Sequence, residues 1–257
     1  MKVVLVTGGS GEIGSAICRK FAENGFDVII TYNSNNDKAE KLLAELFEIS
    51  SKTIHNSSFI SNHSIFNAPT TDAKKVEELR LFVKEKYRKL DVLVNNAGIT
   101  TPVKHDDLGG LSDEWIDKIM QTNFRGSFAM VRAMKDLLMK SEEESALIVN
   151  ISSIASIYGI GSNVAYCASK AALDSMTRSL ARALAPDIRV VSVSPGFVEG
   201  EYTKNFDPIF LKNQMDNTPL GRFAIGKDVA NAVFAMATQL TFSTGNIITV
   251  DGGRLLS

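Results

Sequence analysis

The sequence predicts an α/β fold class, in which one doubly wound parallel sheet carries helices on both faces. Short runs rich in β-branched residues alternate with longer helical patterns along the chain, and this alternation is typical of parallel sheets with right-handed crossovers. The short runs are continuously apolar, as expected of strands that are covered by helices on both sides. With 257 residues, of which 44% are hydrophobic, the chain can bury a large core, and one domain over residues 1–257 is predicted.

The predicted strands are short apolar runs bounded by polar residues or glycines. In chain order they are Val3–Val6, Asp27–Thr31, Asp91–Val94, Leu147–Ile151, Ile188–Val193 and Asn246–Val250. A polar stretch, residues 50–72, separates the second of these runs from the third. Within that stretch the pattern does not distinguish strand from loop.

The predicted helices lie between the strands and have apolar residues at helical spacing. In chain order they are Ile13–Glu23, Asp37–Phe47, Ala73–Tyr87, one long helix from its cap Ser112 through Lys140, Val164–Leu184 and Lys227–Thr238. Gly25 ends the first helix, a position that glycine favours. Asp113 and Glu114 lie near the positive end of the long helix, where acidic residues are stabilising. Trp115 is expected in the core of that helix.

Composition and charge exclude several classes of partner. The formal net charge is −1, so nothing indicates attraction to nucleic acid or to a membrane. The N-terminal apolar run is too short for a signal or a membrane span, and a cytoplasmic location is expected. Cys18 and Cys167 are expected to be reduced and buried. The histidines at positions 55, 63 and 105 have no metal-ligand spacing and are expected at the surface, so no metal site is predicted.

A glycine-rich turn follows the first strand and precedes the first helix. Such a turn, with glycines spaced by three, offers backbone N–H groups and the positive end of a helix to a pyrophosphate. The predicted cofactor-binding residues of this turn are Thr7, Gly8, Gly9, Ser10, Gly11, Glu12, Ile13 and Gly14. Glu12 brings a negative charge to a phosphate site, and its side chain is therefore expected to point to solvent, where it suits the helix dipole.

Together with three later motifs, this turn resembles the short-chain dehydrogenase/reductase family. The motifs are "NNAG" at residues 95–98, "NISS" at residues 150–153 and "YCASK" at residues 166–170, in the family's order. Most single-domain members have glycine where this chain has Glu12, and here a glycine stands one position earlier, at Gly11. The resemblance covers nearly the whole chain and implies a Rossmann-type fold with a nicotinamide cofactor.

The resemblance implies four catalytic residues: Asn123, Ser153, Tyr166 and Lys170. Reducing a ketone by hydride leaves an alkoxide that must gain a proton, and a tyrosine with a pKa of about 10 is poorly matched to neutral pH. Because a nearby ammonium favours the phenolate, Lys170, four residues after Tyr166 on one helix face, would lower the tyrosine pKa. Ser153 would hydrogen-bond the substrate oxygen. Asn123 resembles the family's fourth member, whose backbone distortion holds a water in a proton relay.

The resemblance also assigns residues along the rest of the cofactor. Those not yet named are Asn95, Ala97 and Gly98 on the adenosine side, and Pro195, Gly196 and Val198 on the nicotinamide side, while Tyr166 and Lys170 also contact the cofactor. After the second strand the chain reads Tyr32-Asn33-Ser34-Asn35, with no acid before Asp37. An acidic residue there would repel a 2′-phosphate. Asn33 and Ser34 are therefore predicted to bind the ribose end, and NADP(H) is favoured over NAD(H).

The substrate is predicted only by class. The segments "PLGRF" and "VDGG" resemble 3-oxoacyl-acyl-carrier-protein reductases and sugar dehydrogenases, and residues 198–217 are the predicted lid. Glu142, Glu143 and Glu144 disfavour an acidic carrier protein, leaving a small carbonyl or alcohol substrate. The alternatives are an NAD-dependent dehydrogenase of a sugar or small alcohol, and a catalytically silent nucleotide-binding regulator. Alanines along the Tyr166 helix suit close packing, and a homotetramer or at least a dimer is expected.

Overall fold

A computed structural model describes residues 1–53, 61–201, 203 and 206–256. Within these residues seven strands form one parallel sheet in the order β3-β2-β1-β4-β5-β6-β7. The strands are β1 (Lys2–Val6), β2 (Phe26–Tyr32), β3 (Ser64–Asn67), β4 (Val92–Asn95), β5 (Ala146–Ile151), β6 (Ile188–Pro195) and β7 (Ile247–Val250). The predicted fold class is confirmed, and the polar stretch 50–72 contains β3.

Helices cover both faces of the sheet. They are α1 (Glu12–Ala22), α2 (Asn36–Thr53), α3 (Ala73–Lys86), α4 (Asp113–Met120), α5 (Ser127–Leu138), α6 (Ala155–Tyr158), α7 (Val164–Leu184), α8 (Pro208–Asp216) and α9 (Gly226–Thr238). A 3₁₀ turn, Arg254–Leu256, follows β7. No helix within the described residues is long and apolar enough to cross a membrane.

The core consists of two apolar layers, one on each face of the sheet. Alternate residues of a single strand enter different layers: in β1, Val4 and Val6 pack on the face of α1 and α9, whereas Val3 and Leu5 pack on the face of α3 and α5. This two-sided burial explains why the strands read as continuously apolar in the sequence. The strand order reverses between β1 and β4, so a crevice opens at their carboxyl ends, where α/β sheets bind ligands.

The predicted helix from Ser112 through Lys140 is not regular. Residues Gln121–Gly126 form a π-helical turn between α4 and α5, and Ser112 caps the N-terminus of α4 by accepting from the Trp115 N–H at 3.4 Å. The expectation that Trp115 lies in the core is wrong, because 37% of it is exposed. Its indole lies under the Lys118 ammonium, 4.9 Å from the ring centre, and this contact occupies the ring face instead of core packing.

His63 is also placed differently from the expectation, whereas His55 lies outside the described residues. The His63 ring is buried, accepts a hydrogen bond at Nδ1 from the Val28 N–H at 3.1 Å, and has Ser50 Oγ 2.9 Å from Nε2. Burial lowers the pKa of His63. Cys18 and Cys167 are free and buried, as predicted.

A buried chain of polar side chains joins three strands to α7. Asn95 Nδ2 donates to Asn150 Oδ1 at 2.9 Å, and Asn150 Nδ2 donates to Thr177 Oγ1 at 2.8 Å. Thr177 Oγ1 donates to the Leu173 carbonyl at 3.0 Å and lies 2.8 Å from Ser192 Oγ. Since its one proton goes to Leu173, Thr177 accepts from both Asn150 and Ser192. We call Asn95, Asn150, Thr177 and Ser192 the polar chain.

Candidate active site

The glycine turn brings the start of α1 against the end of β1 at contact distances that only glycine allows. A Cβ at Gly14 would lie 2.5 Å from the Gly8 carbonyl oxygen and 2.8 Å from Asn96 Nδ2. Gly8 has a φ of 59°, a left-handed conformation that favours glycine. The turn therefore requires glycine at both positions for steric reasons.

Asn96 and Thr7 hold this turn against the segment that follows β4. Asn96 Nδ2 donates to the carbonyl oxygens of Thr7 at 2.9 Å and Gly8 at 3.1 Å. Thr7 Oγ1 in return accepts from the backbone N–H groups of Asn96 and Ala97, both at 2.9 Å. The sequence analysis did not single out Asn96, although it is the second asparagine of the "NNAG" motif.

The start of α1 fits a pyrophosphate. Gly11 is the N-cap and makes no side-chain capping hydrogen bond, so the first N–H groups of α1 lack a side-chain partner. The Glu12 side chain is exposed, while Ser10 and Ile13 are half-buried and Gly9 is buried. The helix start has no side-chain cap and lies beside a glycine-rich turn, so phosphate oxygens can closely approach its backbone donors. The residues present therefore fit the phosphate end of a dinucleotide.

The Asn95 side chain is turned away from this cleft, and its assignment to the cofactor, made from the motif, stays a prediction. Only 2% of Asn95 is exposed, and its amide belongs to the polar chain below the site. Its Nδ2 donates within that chain, whereas its Oδ1 is buried with no hydrogen-bond partner among the described residues. Ala97 is half-buried and Gly98 is exposed, so the later half of "NNAG" is the part that reaches the cleft.

The carboxyl end of β2 presents neutral side chains to solvent. Asn33 and Ser34 are exposed, and Asn67 Nδ2 holds the Asn33 carbonyl at 2.6 Å. The nearest cation along the chain is Lys38, whose ammonium is 2.6 Å from Glu201 Oε2. This ion pair joins the start of α2 to the segment after β6, across the mouth of the cleft.

Ser153, Tyr166 and Lys170 converge beyond the carboxyl end of β5. The Ser153 hydroxyl lies beside the Tyr166 phenol and acts to lower its pKa. The Lys170 ammonium lies 5.7 Å from the centre of the Tyr166 ring and donates to the Ile151 carbonyl oxygen at 2.8 Å. Asn163 Oδ1 accepts from the Tyr166 N–H at 2.7 Å and caps α7 one turn before the phenol. A helix cap and a strand end together fix the three side chains.

Burial acts on the two titratable groups in opposite directions. It raises the pKa of Tyr166, and the Ser153 hydroxyl partly offsets this. The expectation that the Tyr166 pKa lies below its ordinary value is therefore wrong for the protein without its ligands, because the cost of burying the phenolate dominates. Burial lowers the pKa of Lys170 to about 8, while the charge of Asp174 acts in the other direction. Both shifts follow from the cost of holding a charge where water is excluded. The site therefore holds a protonated phenol beside an ammonium that can release its proton at mildly alkaline pH.

Asn123 lies in the π-helical turn and is fully buried. Its Oδ1 accepts from the Ile99 N–H at 2.8 Å, and its Nδ2 donates to the Ile99 carbonyl and to Ser169 Oγ, each at 3.0 Å. Its carbonyl oxygen accepts from Ser127 Oγ at 2.9 Å. The irregular helix thus positions the Asn123 amide to connect the segment after β4 with α7. Ser169, one residue before Lys170, is a further residue that the motif analysis left out.

The end of β6 forms the opposite wall of the site. The Pro195 carbonyl accepts from the Ile154 N–H at 3.1 Å, which joins this wall to the Ser153 segment. Gly196 lies so close to β7 that a Cβ would be 2.9 Å from Asp251 Cα, and Val198 is buried beside Ala224. The rings of Phe206 and Phe210, within the predicted lid, lie 6.1 and 6.3 Å from that of Phe197, measured between ring centres. Phe223, which follows the lid, lies 4.6 Å from it.

The acids that disfavoured docking of a carrier protein lie at the amino ends of the strands, opposite the site. Glu143 pairs with Lys2 at 2.7 Å, and Glu142 with Lys89 at 3.2 Å. All four residues lie at the amino ends of strands: Lys2 begins β1, Lys89 precedes β4, and Glu142 and Glu143 precede β5. Ser153 and Tyr166, in contrast, lie beyond the carboxyl end of β5. In a parallel sheet the two edges are separated by the full strand length. The acids therefore do not bear on docking beside the site.

Comparisons with known proteins agree on one family. The sequence profile of a family described as enoyl-(acyl carrier protein) reductase matches residues 9–254. A 3-oxoacyl-(acyl-carrier-protein) reductase of Thermotoga maritima is 32% identical over 257 residues, covering 99% of this chain and 98% of the relative. A crystal structure described as a short-chain dehydrogenase/reductase from Burkholderia xenovorans superposes with a TM-score of 0.88 at 28% identity, covering 100% of this chain and 99% of that one.

A second crystal structure, a short-chain dehydrogenase/reductase described as a glucose/ribitol dehydrogenase from Brucella melitensis, has a TM-score of 0.85 at 28% identity. It covers 98% of this chain and 96% of its own. The family predicted from the glycine turn and the three motifs is thus confirmed.

We expect Gly14→Ala to weaken the binding of a nicotinamide dinucleotide by about tenfold or more, a loss of about 1.4 kcal/mol. The added Cβ would lie 2.5 Å from the Gly8 carbonyl, so the turn would have to move away from α1. Fluorescence titration of the dinucleotide into the purified variant measures the effect. Gly109→Ala is the matched control, because nothing lies within 4 Å of its Cβ position. Equal affinities of the two variants would contradict the steric argument.

Proposed function

Because this chain belongs to the short-chain dehydrogenase/reductase family of oxidoreductases, we propose that it interconverts a carbonyl group and a secondary alcohol with Tyr166 as the acid–base residue. The observation that carries the proposal is the convergence of the Ser153 hydroxyl, the Tyr166 phenol and the Lys170 ammonium beyond β5. A silent nucleotide-binding regulator would not need a buried ammonium beside a half-buried phenol, because burying the ammonium is costly. Thr7–Gly14, Asn33, Ser34, Ala97, Gly98, Pro195, Gly196 and Val198 are the residues that we propose for the cofactor.

The protein's part in the reaction is proton transfer and orientation. A nicotinamide cofactor, when bound, supplies or accepts the hydride. In the reducing direction the Tyr166 hydroxyl gives its proton to the substrate oxygen, and the Ser153 hydroxyl donates a hydrogen bond to the same oxygen as charge develops there. The Lys170 ammonium stabilises the phenolate left behind until it is reprotonated. In the oxidising direction the phenolate takes the alcohol proton.

Asn123 supports this exchange through its position in the π-helical turn. The turn departs from regular α-helical hydrogen bonding, and π-helical turns are frequent at functional sites. We propose that the distorted backbone at Asn123 holds a water that connects Lys170 with solvent. Both amide hydrogens of the Asn123 side chain are already donated to Ile99 and Ser169, so the side chain has no free donor for that water.

The substrate that the described surface favours has an apolar part next to its carbonyl. Ile157 and Ile160, on the segment that follows Ser153, are 54% and 65% exposed, and Ile209 and Phe210 at the start of α8 are 71% and 42% exposed. Exposed large apolar side chains around a site mark a binding surface. A 3-oxoacyl compound uses such a surface, whereas a sugar does not. We propose residues 198–217, of which 202, 204 and 205 lie outside the described residues, as the lid.

A carrier-linked acyl group is the second candidate, because the acids at positions 142–144 lie at the far edge of the sheet. Comparing kcat/KM for a 3-oxoacyl group on an acyl-carrier protein with that for the same group on a small thiol distinguishes carrier docking from a small-molecule substrate. The alternative sugar dehydrogenase is tested by the same assay with polyols. We propose a cytoplasmic location, and the free thiols of Cys18 and Cys167 suit a reducing compartment.

NADP(H) is the proposed cofactor, by a modest margin over NAD(H). Asn33 and Ser34 are exposed neutral donors at the end of β2, where a 2′-phosphate would lie, and no acid precedes Asp37. Lys38 is the nearby cation, but Glu201 holds its ammonium at 2.6 Å. A 2′-phosphate would have to compete with that carboxylate, so Lys38 contributes less than an unpaired cation would.

We propose a homotetramer, with α7 in an interface between subunits. Ala168 and Ala171 are exposed on the solvent face of α7, whereas Ala165 is buried within the subunit. The apolar side chains of Trp115 on α4 and Phe128 on α5 are 37% and 41% exposed. Small residues on one helix allow close helix packing, and symmetric closure is the common outcome for such surfaces.

Tyr166→Phe is expected to lower the rate of carbonyl reduction by about 10²–10⁴-fold, because only the hydroxyl that transfers the proton is removed. Cofactor binding should stay nearly unchanged. Steady-state kinetics and cofactor titration on the same preparation measure both quantities. Tyr87→Phe is the control, since it removes a partly buried hydroxyl that bonds Ser64 outside the cleft. More than about a tenth of the wild-type activity in Tyr166→Phe would show that the assigned role is wrong.

Asn33→Asp is expected to invert the cofactor preference, because it places a carboxylate where the 2′-phosphate is proposed to lie. The wild type should bind NADPH more tightly than NADH, by less than the approximately 1.5–3 kcal/mol of a full charge-assisted hydrogen bond. Fluorescence titration of both cofactors gives the ratio. Asn24→Asp adds the same charge beyond the other end of α1 and should leave the ratio unchanged. Tighter NADH binding by the wild type would refute the cofactor assignment.

Sedimentation velocity at micromolar concentration is expected to show a tetramer. Ala171→Glu places a charge on the exposed face of α7 and should shift the distribution toward smaller species, while circular dichroism shows that each subunit is still folded. Because desolvating an unpaired carboxylate is unfavourable, the effect follows directly if α7 lies in an interface. A wild-type protein that sediments only as a monomer would exclude the proposed assembly.

A further inference from the structure

Asp174 is a buried carboxylate in the active-site region that the proposed reaction does not use. It lies on α7 four residues after Lys170 and eight after Tyr166, so the three side chains share one face of the helix. Only 3% of Asp174 and 5% of Lys170 is exposed. An acid and a base are therefore held on adjacent turns where water has little access.

The contacts of Asp174 reach the segment that carries Ser153. Ser156 Oγ lies 2.5 Å from Asp174 Oδ2 and 2.7 Å from the Ser153 carbonyl oxygen. Asp174 Oδ1 is buried and has no hydrogen-bond partner within the part of the chain that the structure describes. Because Ser156 has one hydroxyl proton and both neighbours are acceptors, that proton is shared between them in a bifurcated hydrogen bond. Ser156 thus joins the carboxylate on α7 to the backbone of the proposed oxyanion-stabilising residue.

A buried carboxylate with one hydrogen bond is unfavourable unless a cation offsets its charge. The cation is Lys170, whose charge interacts with that of Asp174. The other titratable groups on elements packed against α7 lie elsewhere. Tyr158 on α6 and Arg125 in the π-helical turn are exposed, as are Asp113, Glu114, Asp117 and Lys118 on α4. Arg189 lies at the amino end of β6, away from the site. Tyr166 is the remaining titratable neighbour of Lys170, and it is neutral when protonated.

We propose that Asp174 is a positioning residue for the reaction: its carboxylate supplies the negative charge that the buried Lys170 ammonium needs beside Tyr166, and through Ser156 it fixes the backbone at Ser153. The proposal rests on the proposed roles of Ser153, Tyr166 and Lys170. It assigns two separable effects to one side chain. Asp174→Asn removes the charge and weakens the link, whereas Ser156→Ala removes the link and keeps the charge.

The charge effect is measurable without cofactor or substrate, from the pH dependence of unfolding. Burial lowers the pKa of Lys170 to about 8, below its unfolded value. Between the two values the unfolded chain binds more protons, so the free energy of unfolding rises with pH there. Removing the Asp174 charge lowers the native pKa further. The rise should then begin about 1 pH unit or more lower.

Urea unfolding from about pH 6 to about pH 10 tests this in four proteins: wild type, Asp174→Asn, Lys170→Met and the double variant. The curve of Lys170→Met is subtracted from that of the wild type, and the curve of the double variant from that of Asp174→Asn. Each difference isolates the contribution of Lys170 from that of other titrating groups. We expect the isolated rise to begin at lower pH when Asp174 is replaced. An unchanged onset overturns the charge role, as does a wild type whose isolated curve is flat.

The link is tested by kinetics of carbonyl reduction. Ser156→Ala should leave the unfolding onset unchanged and lower kcat/KM by about tenfold, because Ser153 is displaced from the substrate oxygen. Ser175→Ala is the matched control, since Ser175 is the exposed neighbour of Asp174 and should alter neither measurement. An undiminished kcat/KM in Ser156→Ala overturns the positioning role.

Asp174→Glu covers the case in which Asp174→Asn does not fold. The glutamate keeps the charge, so the onset of the rise should stay within the wild-type range, and an onset at lower pH overturns the proposal. A wild-type level of activity in Tyr166→Phe would refute the proposed function instead. It would leave the unfolding comparison intact, because that comparison contains no turnover.

Discussion

The polar chain from Asn95 to Ser192 is the interaction on which the geometry of the site depends. It runs through an otherwise apolar layer and joins β4, β5 and β6 to α7 by hydrogen bonds of 2.8–2.9 Å. Apolar packing alone would allow α7 to slide along the sheet, since apolar contacts have little directional preference. Such sliding would break these hydrogen bonds, and each broken bond would leave a buried polar group unsatisfied at a cost in free energy. Thr177 therefore fixes the register that brings Tyr166 to the end of β5.

The exclusion of water that makes those hydrogen bonds costly to break also shifts the pKa values of the titratable groups in the site. Lys170 is held by one carbonyl, that of Ile151, in a position where its charge is costly. An ammonium that is costly to bury releases its proton more easily, and a phenol that is costly to ionise retains it. The shift of Lys170 brings its pKa toward neutral pH, whereas that of Tyr166 keeps the phenol protonated. The site thus sacrifices stability for reactivity, as functional sites commonly do.

The two ends of the proposed cofactor cleft are joined by different kinds of contact. At the phosphate end, backbone atoms of Gly8 and Gly14 meet at distances that leave no room for a side chain, and Asn96 locks the arrangement. At the ribose end the connection is an ion pair between exposed side chains, Lys38 and Glu201. Exposed ion pairs contribute little and open readily. The phosphate end is therefore rigid, whereas the ribose end can rearrange around its ligand.

The sequence by itself determined the fold class, the glycine turn and the spacing of Tyr166 and Lys170. These depend on local periodicity: continuously apolar strands, glycines spaced by three, and one helical turn between two side chains. The tertiary structure alone decided that Asn95 points into the core while Asn96 clamps the turn. It also placed Asp174 against Ser156, Lys38 against Glu201, and the acids at positions 142–144 at the far edge of the sheet. Each of these contacts is between residues distant in sequence. Strand order and helix register decide which distant side chains meet, and no short segment of sequence contains that information.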